Sequence, residues 1–178
     1  HYLEEQLDMH HMSATFSARI RIQQAKGHHK HHITWVAHKD YNPVNEAFLA
    51  MDRWMQQIQN QPEAPVWEVK PEQLSDTCFD AEGKLMHQGE NVWDGQWNGK
   101  KNGACTTQYN IFSNSRVQAD GPWQGSVFSC YLIPVEQAIK QGFYGSVDMS
   151  DELPRLKQIF PNGVCDYDLG DRARPGDI

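Results

Sequence analysis

The sequence lacks most of the signatures that would name a chemistry at once. No Gly-x-Ser-x-Gly occurs, so the strained turn that lifts a nucleophilic serine above an α/β sheet is missing. Gly125-Ser126 and Gly145-Ser146 are not followed by the required glycine. There is no Cys-x-x-Cys, which disfavours a zinc knuckle or a thioredoxin-like redox pair. No Walker loop and no dinucleotide fingerprint appears. Apolar runs are only a few residues long, too short to span a membrane. Basic charge is scarce as well: 16 Lys and Arg against 23 Asp and Glu leave a net charge of −7. That balance removes the electrostatic footprint of a nucleic-acid binder. Hydrophobic residues make up 39% of the 178, below the roughly 45–50% usual in globular domains.

What is present is aromatic: six Trp, six Tyr and seven Phe. Disordered chains are poor in such residues, yet the mean hydropathy of −0.72 is low for a compact core. Loop-rich structure laid over a larger body fits both facts. Cys78, Cys105, Cys130 and Cys165 are an even number, widely spaced in Gly/Asn/Ser-rich sequence. They suit two disulfides in an oxidising compartment, with the protein secreted or periplasmic. Three pairings are open, and four buried free thiols in a cytosolic protein are the alternative. No secretory leader is visible, and a first residue of His rather than Met reads as an N-terminus made by processing or truncation.

The chain reads most clearly in its first third. Ser13–Lys26 is expected as a helix capped by Ser13 or Thr15, with Phe16 and Ile20 on one face and Gly27 as its left-handed stop. After the polar turn His28–His32, the unbroken apolar run Ile33–Ala37 reads as a strand buried on both faces. Asn42 then caps a helix with Pro43 at its first position. Ala47, Phe48, Met51, Trp54, Met55 and Ile58 follow the spacing of a core-facing stripe. Trp35, Phe48, Met51 and Trp54 are accordingly assigned to the core. Beyond Pro65 come short apolar pieces between turn signals, with helical turns expected at Pro71–Leu74 and Pro134–Lys140. A last helix is expected over Asp151–Phe160, capped by Ser150.

A strand between two helices needs sheet partners, and none is found between His1 and Pro62. That order points to an α/β protein, the C-terminal part of a three-layer fold whose other strands lie upstream. Residues 1–62 would end the core, and 63–178 would wrap it as a loop-rich, disulfide-tied extension.

Several residues could carry chemistry. His38 lies just past the strand, where a triad histidine sits, and Asp8 is thirty positions earlier with a helix and strand between. The alternative for His38 is an ordinary loop histidine. Asp8-Met9-His10 would place its acid and base on one side of an extended segment, or else cap the following helix as a polar turn. Glu4 and Glu5 are weaker acids for the same role. His28, His29, His31 and His32 could bind zinc, copper or nickel, although no second ligand pair is evident and a solvated turn explains them more simply. Asp166–Asp171 resembles a calcium loop but lacks the closing Glu, so a surface turn is expected. Trp93, Trp97 and Trp123 could line a substrate cleft or serve local packing.

The segments MHHMSATFSARIRIQQAKG, HHITWVA, MDRWMQQI, VWDG, GACTTQY, FSCYLIPV and IFPNGVCDY span nearly the whole chain in order. Together they resemble the C-terminal part of a family of large secreted bacterial proteins of unknown function with an α/β-hydrolase-like fold. That family is distantly similar to the tannase/feruloyl esterase and hydroxybutyrate-oligomer hydrolase groups. The resemblance implies a serine-type esterase working through an acyl-enzyme, on a small-molecule or oligomeric ester, with no cofactor. The nucleophile and oxyanion hole would come from upstream sequence or a companion chain. The family's Asp-aliphatic-His pattern falls on Asp8, Met9 and His10, whereas His11 breaks its acid-rich continuation. Its cysteine contexts fall on Cys78, Cys105, Cys130 and Cys165. The resemblance thus favours His10 as general base and the topology favours His38. The competing class is a non-catalytic secreted binding or structural module, metal-associated through His28–His32.

Overall fold

The computed structural model describes residues 12–174. They fall into two compact units, one ending at Ser113 and the other beginning at Asn114.

The first unit is built on a helix, a strand and a helix. α1 runs Ser13–Lys26 and stops at Gly27, whose φ of 76° is the left-handed geometry that glycine adopts without strain. Its N-cap is Met12, so neither Ser13 nor Thr15 caps it. β1 is shorter than expected, Trp35–Ala37. α2 runs Val44–Asn60 with Pro43 as N-cap, and the Asn42 carboxamide accepts from the Val44 amide at 3.1 Å. The start signal is therefore real, one residue later than read.

β1 finds a partner downstream of Pro62. β2 (Thr77–Phe79) lies parallel to it with Val36 opposite Cys78, and β3 (Leu85–Gln88) pairs antiparallel with β2. The β2–β3 turn is held by the Asp80 carboxylate, which accepts from the Glu82 and Lys84 amides. Gly83 is required there on two counts: its φ is +80°, and the Tyr41 ring occupies the space of a Cβ. A short α3 (Ala104–Gln108) follows and carries Cys105 back to Cys78.

Burial explains why this much loop holds together. Phe16, Val36, Cys78, Trp93, Cys105 and Tyr109 form one core cluster. Trp93 and Phe16 have no exposed surface, each worth roughly 1.5–3 kcal/mol of apolar burial. The polar ends of the large rings are satisfied: Trp93 Nε1 donates to the Thr34 carbonyl at 3.2 Å and the Tyr109 hydroxyl to the Phe79 carbonyl at 2.6 Å. Ala50 and Trp54 of α2 form a second cluster with Val69 and Leu74.

Two of the four core assignments are corrected here. Trp54 is buried and Trp35 half-buried, but Phe48 is 72% and Met51 53% exposed. The apolar stripe of α2 is wider than the body beneath it, so only its Ala50–Trp54 flank is covered. Pro71–Leu74 is a hydrogen-bonded turn rather than a helical one.

In the second unit, α4 (Ser115–Gln118) is capped by the Asn114 side chain, and β4 (Cys130–Ile133) pairs antiparallel with β5 (Val164–Asp171). Between them lie α5 (Val135–Lys140) and α6 (Leu153–Ile159). α5 agrees with the turn read at Pro134. α6 is shorter than expected, lacks a Ser150 cap and buries none of its residues. Asp166–Asp171 proves to be strand, not a surface turn. Disulfides Cys78–Cys105 and Cys130–Cys165 select one of the three pairings. Mixed helices and small sheets tied by two disulfides are consistent with an α/β protein. No described helix is long and apolar enough to cross a membrane.

Candidate functional site

Two places in the first unit bring reactive side chains together, at opposite ends of β1. At its carboxyl end, the His38 amide still donates to the Phe79 carbonyl at 3.2 Å, extending the sheet by one bond. That bond fixes the histidine at the strand terminus, where ligands of α/β sheets bind. The His38 side chain is 37% exposed, and its Nδ1 lies 3.4 Å from the Asp40 carboxylate. The Asp40 amide also points at Nδ1, at 3.3 Å. Nδ1 serves only one of these at a time. As an acceptor it takes the amide, and with a proton it donates to the carboxylate, which leaves the Nε2 lone pair available as a base. His-x-Asp spacing is thus enough to orient the ring locally.

The amino-terminal end of β1 borders a cleft of about 580 Å³, walled by Trp67 and Trp97 and floored by Arg19 and Asp76. Arg19 is 1% exposed although it belongs to a helix whose other buried side chains are Ser13 and Phe16. Its guanidinium grips Asp76 bidentately at 2.6 and 2.7 Å, donates to Thr34 Oγ1 at 2.8 Å and places Nε 3.2 Å from His32 Nδ1. Asp76 also accepts from the Thr34 amide. A buried charge is tolerated only when paired and hydrogen-bonded in this way. The pair ties α1 to the segments before β1 and β2, so its role is to align them.

The four histidines of the turn are accounted for separately. Burial first, then the Arg19 charge, hold His29 and His32 below the ordinary imidazole value of 6.5. The His28 ring packs on Trp67 at 4.2 Å and edge-on to His31 at 5.7 Å. Its Nδ1 is buried without a hydrogen-bond partner. Among the described residues no three His, Cys, Asp or Glu side chains are grouped to hold a metal ion.

Of the expected catalytic residues, Asp8 and His10 lie outside the described residues, as do Glu4 and Glu5. His38 follows directly on β1 and precedes α2. Ile33, which lines the cleft, and His38 lie five residues apart on either side of β1, about 16 Å at strand rise, so the cleft and His38 are distinct places. Trp97 lines the cleft and stacks on Phe16 at 4.9 Å, whereas Trp93 is core. Trp123 belongs to the second unit and is half-buried. Asp40 was missed by sequence reasoning. Its signal was there in His38-Lys39-Asp40, but a search for a distant triad acid passes over a carboxylate two residues away.

A family model described as "Tannase-like family of unknown function (DUF6351)" matches residues 1–174. No curated protein and no solved structure matches the chain.

Proposed function

The chain belongs to a tannase-like family of unknown function, and from that premise we propose that it is the C-terminal portion of a secreted serine-type ester hydrolase. The observation that carries this reading is the placement of His38. It stands at the carboxyl end of a strand in parallel pairing, half-open to solvent, with a carboxylate 3.4 Å from Nδ1. In the proposed reaction the base nitrogen takes the proton of a serine hydroxyl as it attacks the ester carbonyl. The alkoxide leaves with that proton, and water then cleaves the acyl-enzyme by the same route. Asp40 orients His38 in this scheme. Asp8 and His10 are the alternative acid and base. The serine and oxyanion hole come from outside these 178 residues, because the sequence holds no Gly-x-Ser-x-Gly elbow. Two disulfides are compatible with an extracellular site of action, where they persist.

The test is a fluorophosphonate probe on the natural full-length protein, followed by single His38→Ala and His10→Ala variants. One labelled serine is expected, with ester turnover falling at least about a hundredfold in one of the two variants only. Absence of any labelled serine ends the serine-hydrolase reading. The second reading, a non-catalytic binding module, is favoured by the aromatic-walled cleft. It is supported if turnover is absent and a Trp67→Ala variant loses a bound ligand.

A further inference from the structure

The cleft lined by Trp67 and Trp97 measures about 580 Å³. That is within the range of small-molecule sites, which combine aromatic walls with a few placed polar groups. Both indoles are held before anything binds. The Trp97 ring stacks on the fully buried Phe16 at 4.9 Å, and its Nε1 donates to the Trp93 carbonyl at 2.6 Å. One face and the polar edge of that indole are therefore committed, which leaves the opposite face for the cleft it lines. Trp67 is braced by the His28 ring at 4.2 Å. Rings fixed in this way offer contact area at little entropic cost.

The polar lining is fixed as well, and its charges cancel. Arg19 is paired with Asp76 and Lys100 with Asp94. Among the described residues, the other ionic side chains of the lining are Lys30 and Lys70 against Glu68 and Glu90. Asn98 donates through Nδ2 to Asp94 at 2.8 Å, and its Oδ1 accepts from the Gly95 amide at 3.0 Å. A carboxamide nitrogen carries two hydrogens, so one N–H of this anchored side chain is left to donate. His32 accepts the Arg19 Nε hydrogen on Nδ1. That bond selects the neutral tautomer with its hydrogen on Nε2, a second fixed donor. Glu90 and Asn91 are exposed along the cleft and supply acceptors.

Such a lining discriminates by chemistry. A charged ligand would give up its hydration there without a net opposite charge to replace it. A wholly apolar ligand would leave the donors and acceptors unpaired. An uncharged molecule with apolar faces and a rim of hydroxyls meets both demands. A pyranose ring is such a molecule: its C–H faces lie flat on indoles, and its hydroxyls both donate and accept. We infer that this cleft is a binding site for a neutral oligosaccharide, stacked on Trp67 and Trp97 and hydrogen-bonded by Asn98, His32 and Glu90. The site is apart from His38 and stands whether or not His38 acts on an ester.

The experiment uses the natural full-length protein and a panel of neutral oligosaccharides cut from β-glucan, α-glucan, xylan and mannan. A uronic-acid oligomer and a hydroxybenzoate serve as the anionic and aromatic arms. Binding of at least one neutral member is expected, and added salt should leave its affinity unchanged, because no charge pairing contributes. Trp67→Ala is expected to weaken it at least about tenfold, as for other aromatic anchors. Hydroxyl-radical footprinting of the unaltered protein gives a readout that does not depend on a variant folding. The bound sugar should protect Trp67 and Trp97, and leave Trp123 of the second unit as reactive as before. Failure of every neutral member to bind, preference for the uronate or the hydroxybenzoate, or protection at His38 in place of Trp67 each overturns the proposal. Fluorophosphonate labelling is read separately. A labelled serine without sugar binding defeats the saccharide site alone, whereas sugar binding without a labelled serine defeats the hydrolase reading alone.

Discussion

The two units are ordered by different means although each has one sheet and one disulfide. Of the sixteen buried hydrophobic residues described, twelve lie before Asn114 and four, Val127, Ile133, Val135 and Ala138, after it. The first unit has large rings, a bidentate buried ion pair and two apolar clusters. The second has an eight-residue strand on a four-residue one, a helix that buries nothing, and ion pairs at the surface. A core of four aliphatic side chains offsets little of the entropy of ordering some sixty residues, and small units of this kind depend on staples. The comparison shows why the same covalent bond carries different weight in different surroundings.

The sharpest way to break that comparison is to remove the second staple. Cys130→Ser with Cys165→Ser reopens a loop closed over 35 residues, worth about 3–4 kcal/mol. The expectation is that limited proteolysis then cuts within 114–174 while the first unit stays resistant. Persistence of full protection in the second unit contradicts it.

A comparable effect is expected from the first unit's ion pair. Asp76→Ala strands the Arg19 charge, which is 1% exposed, at about 3–5 kcal/mol, read as a lower denaturation midpoint. Glu152→Ala breaks the exposed Arg155–Glu152 pair of the second unit and is expected to change nothing measurable, as usual for such pairs. Equal losses from both variants would remove the distinction.

The smallest effect concerns pH. His29 and His32 are held below their ordinary value of 6.5 by burial and by Arg19. Above 6.5 both are neutral whether folded or unfolded, and their contribution is complete. As pH falls below 6.5 the unfolded chain takes up protons first, so stability of the first unit declines until the folded histidines also charge. Denaturation between pH 7 and 5 should show this slope, and His32→Gln should flatten it.

Legibility followed locality. α1 was read to the residue, because Gly27 and the apolar spacing are contained in fifteen positions. The Asn42-Pro43 start of α2 was legible for the same reason. Phe48 and Met51 were misplaced because periodicity reports which face is apolar, not whether anything covers it. β2 was invisible as a partner of β1: parallel pairing joins Val36 to Cys78 across 42 positions and leaves no mark in either segment. α6 was overextended by two residues at its start and one at its end, and Ile159 and Phe160, which look like core, stay exposed. Asp40 went unnoticed as the partner of His38, although both residues were in view.

The order α1-β1-α2, the left-handed stop at Gly27, the Asn42-Pro43 start signal and the supply of four pairable cysteines were determined by sequence alone. All of them are settled by sterics and hydrogen bonds within a few residues. Which cysteines pair, which flank of α2 is covered, why Arg19 is buried, and that β1 pairs with β2 were decided only by tertiary structure. Each depends on what a distant segment brings within a few ångströms, and burial, not residue type, then sets its energy.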